Sequence, residues 1–373
     1  MNLSRHSFFR CFLGSLATMQ FVWFYSIHVP NALSLAGYID GAERMPFQGR
    51  LLIVFLLRHL GTSAFFLHLA AITNNFSVWL PRALTGVETL QAVIDFASVT
   101  LTGWVAKRLY ALYSPSAILA PFIYPLTLLV LASTFLFQTT HLLRFPYDLA
   151  STALFSLGLL SILERRSSWF LLIVFTVATV NKETSLLLIP ALLIERSFDG
   201  SSGKFQISRL WCLVNIGFAG FLSAMWTAWH FWLLWRFKSN PSVFGSHLVL
   251  NIGLLLCPIA WPQIASACAY LLPLVLLNRK AISDPVLRAF VLILPGAFMV
   301  QSYFGVLAEP RIFGEWVAFV SCTASLIAED YILRHTSRLR LTENVASSYK
   351  SARYLSISQV DMRIPLYSGL PPT

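Results

Sequence analysis

The stretch from Asn31 to Arg50, NALSLAGYIDGAERMPFQGR, decides how this chain is read. It follows the first long apolar run and brings Asp40, Glu43, Arg44 and Arg50 together within eleven positions. Most of the remaining chain is compatible with hydrocarbon. Ionisable groups beside or within membrane spans are costly, and they persist mainly where they serve a polar site. The stretch therefore reads as a polar loop at the mouth of a site, with Asp40 over it, on the face turned away from the cytoplasm.

Composition supports that reading. Of 373 residues, 57% are hydrophobic and 12% are charged, whereas soluble domains carry roughly 25% charged residues. The class that fits is an all-α polytopic membrane protein. Only the last forty or so residues depart from apolar runs, so a separate soluble catalytic domain is excluded. Thirty phenylalanines and eleven tryptophans suit lipid-facing surfaces and interfacial belts. A net charge of +11 would point to nucleic acid in a soluble protein. Here it is better explained by sorting of cations to one side of a membrane, and no nucleic-acid partner is expected. Cys11, Cys212, Cys257, Cys268 and Cys322 lie in apolar runs without CxxC spacing. They read as packed membrane cysteines, neither disulfide-bonded nor metal-binding.

A span needs about 20 apolar residues. Runs at 8–29, 84–106, 116–137, 147–163, 211–234, 248–277, 286–307 and 316–333 meet that need. The first run is read as retained and as serving also as the signal. The run at 50–73 is interrupted by Arg58, His59 and Gly61-Thr62-Ser63. It reads as two short helices in the outer interface, with Arg58 snorkelling. The run at 169–194 is broken by Asn181-Lys182-Glu183-Thr184. One straight span would bury both charges at mid-bilayer at about 3 kcal/mol each, so a hairpin with its tip at the outer surface is expected. The parse gives about ten crossings over 1–333, a large first extracytoplasmic loop at 31–83 with interfacial helices, and a basic, disordered cytoplasmic tail at 334–373. Both termini are cytoplasmic on this parse. It puts eighteen of the 27 lysines and arginines inside and nine outside, while the sixteen acids divide evenly. That is the positive-inside pattern.

The outer side then collects the groups able to do chemistry. Asp40 is a candidate general base for a hydroxyl, and Glu43 is its substitute. Lys182 at the hairpin tip can meet a phosphate as a compact charge. Arg50 and Arg311 can grip a phosphate or carboxylate with a forked guanidinium. Asp148, Glu183 and Glu309 are polar partners that orient an acceptor, cap a helix or pair with the cations. Glu88 and Asp95, seven apart, share one helix face and point toward one bundle, either as a packing contact or as an ion-coupling pair. No Walker loop, GxSxG, HExxH or GxGxxG setting occurs, and no metal ligand set is assigned.

The layout of a first span, an acid soon after it in a large outer loop, and interfacial helices resembles the GT-C glycosyltransferases, among them protein mannosyltransferases and lipid A aminoarabinose transferases. MPFQGRLL, FPYDL, NKETSLLLIP and AEPRIFGEW look like segments of bacterial membrane proteins of this type. The resemblance implies a transferase of the bacterial plasma membrane. It would move a sugar from a polyprenyl-phosphate donor to a glycolipid, polysaccharide or protein acceptor, with inversion. Asp40 or Glu43 would act on the acceptor, and Lys182, Arg50 and Arg311 would hold the donor phosphate. No cofactor is assigned beyond that lipid-linked sugar, with a divalent cation left open. The acids here are three residues apart, not adjacent, and no large C-terminal outer domain is present in the pattern of runs. Two other readings stand beside it. One is a transporter or flippase using Glu88 and Asp95. The other is an O-antigen polymerase or ligase, whose large outer loop tends to lie late in the chain.

Overall fold

The helices begin and end where local chemistry directs. The computed structural model describes residues 5–76, 83–137, 143–199, 204–242 and 245–337. Arg82, the loop residues 138–142 and the tail beyond 337 therefore lie outside the described residues. About 77% of the described residues are helical, and there are no strands among them. The order is α1 (Arg5–His28), α2 (Leu35–Asp40), α3 (Leu51–Leu60), α4 (Ala64–Phe76), α5 (Gly86–Tyr113), α6 (Ile123–Phe135), α7 (Asp148–Leu163), α8 (Ser168–Asn181) and α9 (Leu188–Ser197). It continues through α10 (Ile207–Leu210), α11 (Leu213–Arg236), α12 (Leu248–Leu256), α13 (Trp261–Ala265), α14 (Leu271–Leu277), α15 (Pro285–Val291) and α16 (Ile293–Phe304). A 3-10 turn, Pro310–Trp316, leads into α17 at 317–337. Met1–Ile327 and Ala328–Thr373 are distinct units, and the packing of α1 to α16 belongs to the first.

Three stretches are long and apolar enough to cross a membrane: Gly86–Tyr113, Pro285–Phe304 and Pro310–Ser337. The number rises to five if each of two bent pairs counts as one span. One bent pair, α3 with α4, turns by 84° at Gly61-Thr62-Ser63, where two helices were expected. The second, at α12–α13, turns by 97° in the run that Pro258 and Pro262 interrupt. Large apolar side chains stand on the outside, among them Ile259, Leu213, Val249 and Trp169. In water such a surface would associate; hydrocarbon is its natural solvent. Cys11, Cys212 and Cys257 share that exposed surface, and only Cys268 and Cys322 are buried. The expectation of five packed cysteines is thus corrected for three of them.

α7 is the central helix, packed on α5, α8, α9 and the 310–316 turn. Ala150, Ser151, Ala153, Ser156 and Gly158 are small enough to let neighbours approach closely, and α7 is buried over nearly its whole length. Gly314 permits a comparable approach: a Cβ there would lie 2.5 Å from the Phe135 ring. The expected hairpin is present. α8 runs away from Arg165 and ends where the Asn181 amide donates to the Tyr147 carbonyl (3.3 Å). α9 returns, and Glu195 near its end accepts from Arg165 Nε at 2.5 Å.

Candidate functional site

One end of the bundle gathers the loops expected on the outer side. The segment after α1 pairs with the one before α7: the Ala32 amide donates to the Arg144 carbonyl (2.9 Å) and the Arg144 amide to Pro30 (3.0 Å). The amide of Met45 donates to the Pro241 carbonyl beyond α11 at 2.8 Å. Asn240 Nδ2 donates to the carbonyls of Gly41 (2.9 Å) and Glu43 (2.7 Å). Within 31–50, Tyr38 Oη donates to the Arg50 carbonyl (2.5 Å) and Gln48 Nε2 to the Tyr38 carbonyl (3.2 Å). The loop is therefore internally tied, and Arg50 leaves it in a set direction.

Beneath the loop lies a charged network. Arg50 grips Glu183 with two nitrogens, Nε at 3.1 Å and Nη2 closer still, and its guanidinium lies 4.2 Å from the Tyr147 ring centre. Lys182 Nζ donates to Glu315 Oε1 at 2.7 Å and lies 3.6 Å from Asp148 Oδ1. Arg311 bridges Asp148 Oδ2 (3.3 Å) and Glu309 Oε2 (2.6 Å) and stacks 4.0 Å from the Phe145 ring centre. Glu315 Oε1 also accepts from Ser151 (3.2 Å) and Thr184 (3.1 Å). Local structure positions each group. Lys182 is extended backbone between α8 and a short 3-10 turn. Asp148 opens α7, and Glu309, Arg311 and Glu315 ride on or beside the turn before α17.

Six of the eight residues singled out from sequence thus meet: Arg50, Lys182, Arg311, Asp148, Glu183 and Glu309. Asp40 and Glu43 do not join them. Asp40 ends α2 with its side chain exposed. Glu43 turns back on Arg44, accepting its amide hydrogen at 3.1 Å. The three cations expected to hold a donor phosphate come with acids of their own. Each is already paired, because a buried cation without a carboxylate would be too costly. Glu88 and Asp95 also have separate roles, so they do not form a pair. Glu88 closes a capping box with Thr85 at the start of α5. Asp95, buried, accepts from Gln91 (2.9 Å) and Ser26 (3.3 Å). The residues that sequence reasoning left without a role are Glu315, Tyr147 and Phe145. AEPRIFGEW and FPYDL contain them, but nothing in the spacing marks them as the floor of the network. Tyr147 Oη, Arg144 Nε, Asn181 Oδ1 and Glu315 Oε2 are buried without a hydrogen-bond partner among the described residues. No group of three or more His, Cys, Asp or Glu able to hold a metal occurs among the described residues.

No protein-family model matches this chain, and neither does any curated protein or solved structure.

Access differs within the network. Lys182 and Arg50 side chains are each 10% exposed, while Glu183 is 37% and Glu309 24% exposed. The acids at the opening are thus the clamps on the two arginines. Burial raises the pKa of Glu183, but the charge and hydrogen bonds of Arg50, with Lys182 beside it, outweigh burial and hold the carboxyl at about 2. Burial works against the charged form of Arg50, and Glu183 more than restores it. The linkage has a definite sign. A carboxyl lowered from 4.5 to about 2 contributes stability that is fully present above pH 4.5 and drains as pH falls toward 2. The unfolding temperature of the purified protein, compared with Glu183→Gln, should differ most above pH 5. The two should converge between pH 4.5 and 2. A constant difference across that window would contradict the pairing.

Proposed function

We propose that this chain is a polytopic membrane glycosyltransferase of the GT-C type, with about ten crossings and its site on the extracytoplasmic side. The observation that carries the reading is the convergence of Arg50, Lys182 and Arg311 from three distant parts of the chain. They meet at one end of the bundle, below the loop that carries Asp40. Two features of that site suit a lipid phosphate. The acids most open to the surroundings are those gripping Arg50 and Arg311, so an incoming phosphate can take their places one at a time without stranding a bare cation. The orphaned buried polar atoms beside them give spare hydrogen-bonding capacity, which buried groups seldom lack a use for.

The reaction follows from that arrangement. A sugar on a polyprenyl phosphate enters sideways from the bilayer. Its phosphate exchanges for Glu183 on Arg50 or for Glu309 on Arg311. An acceptor hydroxyl oxygen attacks the anomeric carbon and gives its proton to the Asp40 carboxylate. The bond from anomeric carbon to phosphate oxygen breaks, and the electron pair leaves on the phosphate. The configuration inverts. Negative charge grows on the phosphate as that bond lengthens, and the cations stabilise it more in the transition state than in the ground state. Glu43 is the substitute base on the same loop. On this reading both termini are cytoplasmic and the host is bacterial. The partners are the lipid-linked sugar and a glycan, glycolipid or protein acceptor.

The test is a mass-spectrometric profile of envelope glycans in a deletion strain complemented with wild type or with Asp40→Asn at equal protein level. The expected result is that one sugar disappears in the deletion and in Asp40→Asn while its lipid-linked donor accumulates. A defect in the deletion alone moves the base to Glu43. An unchanged glycan profile in the deletion ends the transferase reading and turns attention to transport.

A further inference from the structure

The far end of α7 carries a second polar feature, about 24 Å from Asp148 along a sixteen-residue helix. A cleft of about 600 Å³ opens there, lined by Arg108, Arg165, Arg166 and Glu164 and, on its apolar side, by Leu112, Leu163 and Phe170. The first turn of α8, beginning at its N-cap Ser167, forms another part of the wall. Glu164 is nearly buried, and both flanking arginines share it: Arg108 Nε at 2.5 Å and Arg166 Nε at 2.7 Å. A guanidinium has five N–H donors, so one carboxylate leaves most of the donors on these two half-exposed side chains facing the cleft.

The backbone at this place is also unusual. The Arg166 amide donates to the Ser161 carbonyl and the Arg165 amide to Ile162, both at 3.0 Å. That is the Schellman arrangement, whose left-handed position is usually glycine. Here Arg165 occupies it at φ 52°, a conformation that costs a side-chain-bearing residue more than glycine. The left-handed residue splays two consecutive arginines. Arg165 reaches Glu195 at 2.5 Å, and Arg166 turns toward Glu164 and the Phe170 ring, 5.4 Å from its centre. A tighter turn with glycine would lose one cation from the rim.

We propose that this cleft binds an anionic phosphate headgroup, with the guanidinia of Arg108 and Arg166 on the phosphate oxygens and the acyl chain along Leu112, Leu163 and Phe170. With Arg165 engaged by Glu195, Arg108 and Arg166 stand against the single carboxylate of Glu164, a net positive lining that favours an anion, and forked guanidinia match phosphate oxygens. A free phosphate offers the same oxygens without the chain, and the experiment separates the two sources. The site does not depend on the transferase reading, because it shares no residue with the network at the other end.

The experiment uses the full chain in neutral detergent, with bound lipid counted by native mass spectrometry and the unfolding temperature followed in parallel. Dioleoylphosphatidylglycerol should be retained and should raise the unfolding temperature, and dioleoylphosphatidylcholine should do neither. Arg108→Gln with Arg166→Gln should weaken phosphatidylglycerol binding at least tenfold. Glu164→Gln, which frees both arginines, should tighten it several-fold, so the prediction survives if the double variant misfolds. Competition by millimolar inorganic phosphate identifies a free anion as sufficient. Failure to compete, with the lipid still bound, identifies the headgroup with its chain. Equal retention of both lipids by wild type, or equal phosphatidylglycerol binding by wild type and a Glu164→Gln variant, overturns the proposal.

Discussion

Replacing Lys182 with methionine is expected to lower the unfolding free energy by about 3–5 kcal/mol, the usual cost of removing one partner from a buried ion pair. The reason lies in what stays behind. Glu315 is fully buried and Asp148 nearly so. Asp148 keeps Arg311 at 3.3 Å, but Glu315 keeps only the hydroxyls of Ser151 and Thr184. Its second oxygen already has no hydrogen-bond partner. A neutral hydroxyl cannot offset a buried carboxylate charge, so the turn before α17 must loosen to hydrate Glu315. Methionine keeps the volume and the apolar stem, which confines the loss to the charge. Adding Glu315→Gln should return much of the stability, because the orphaned charge is then gone. A double-mutant cycle in detergent, read by thermal or denaturant unfolding, checks both claims. A single-variant cost below about 1 kcal/mol, in the range of an exposed pair, would show that the cluster is solvated.

Arg50→Gln should separate stability from activity. Its partner Glu183 is more than a third exposed and can be hydrated when the arginine is removed. The stability loss should therefore be smaller than for Lys182→Met. The effect on sugar transfer should be large. If Arg50 receives the departing phosphate, losing it removes a preorganised charge that strengthens as the bond breaks. Such donors are worth about 10²- to 10³-fold in rate. Arg50→Lys keeps the charge but loses the fork and the stacking on Tyr147, 4.2 Å away, and should fall between the two. Turnover of a reconstituted protein with a lipid-linked donor measures this. Equal turnover for wild type and Arg50→Gln would remove Arg50 from the phosphate site, although Lys182 and Arg311 would remain testable by the same assay.

Much of the architecture was legible in the chain because the bilayer constrains it so strongly. Apolar length and the placement of the charges give the all-helical class and the grouping of the loops, but only three helices, or five with the bent pairs, are long and apolar enough to cross a membrane where about ten crossings were expected. The loops at 31–50, 143–148, 182–184, 236–242 and 309–315 do meet at one end, and Arg108, Glu164, Arg165 and Glu195 meet at the other. The break at Asn181-Lys182 was readable for the same reason, since two charges cannot rest at mid-bilayer. Helix lengths were less legible. α6 is only thirteen residues where 116–137 was expected to span, and α5 continues seven residues past Ala106. Lys107 and Arg108 can be carried on a helix that extends beyond hydrocarbon, so a cation marks a depth and not a helix end.

What the sequence determined alone was which residues had to leave the hydrocarbon, because the penalty on a charge there is local and independent of partners. It thereby named Arg50, Lys182, Arg311, Asp148, Glu183 and Glu309 as one side's polar set. Which carboxylate neutralises which cation was decided only by tertiary structure. Arg50 and Glu183 are 133 positions apart, as are Lys182 and Glu315, and no local pattern encodes such a pairing. Only the packing of α7 between α8 and the 310–316 turn brings Asp148 within reach of two cations at once. Pairing depends on distances of a few ångströms between distant segments, and those distances exist only once the helices have packed.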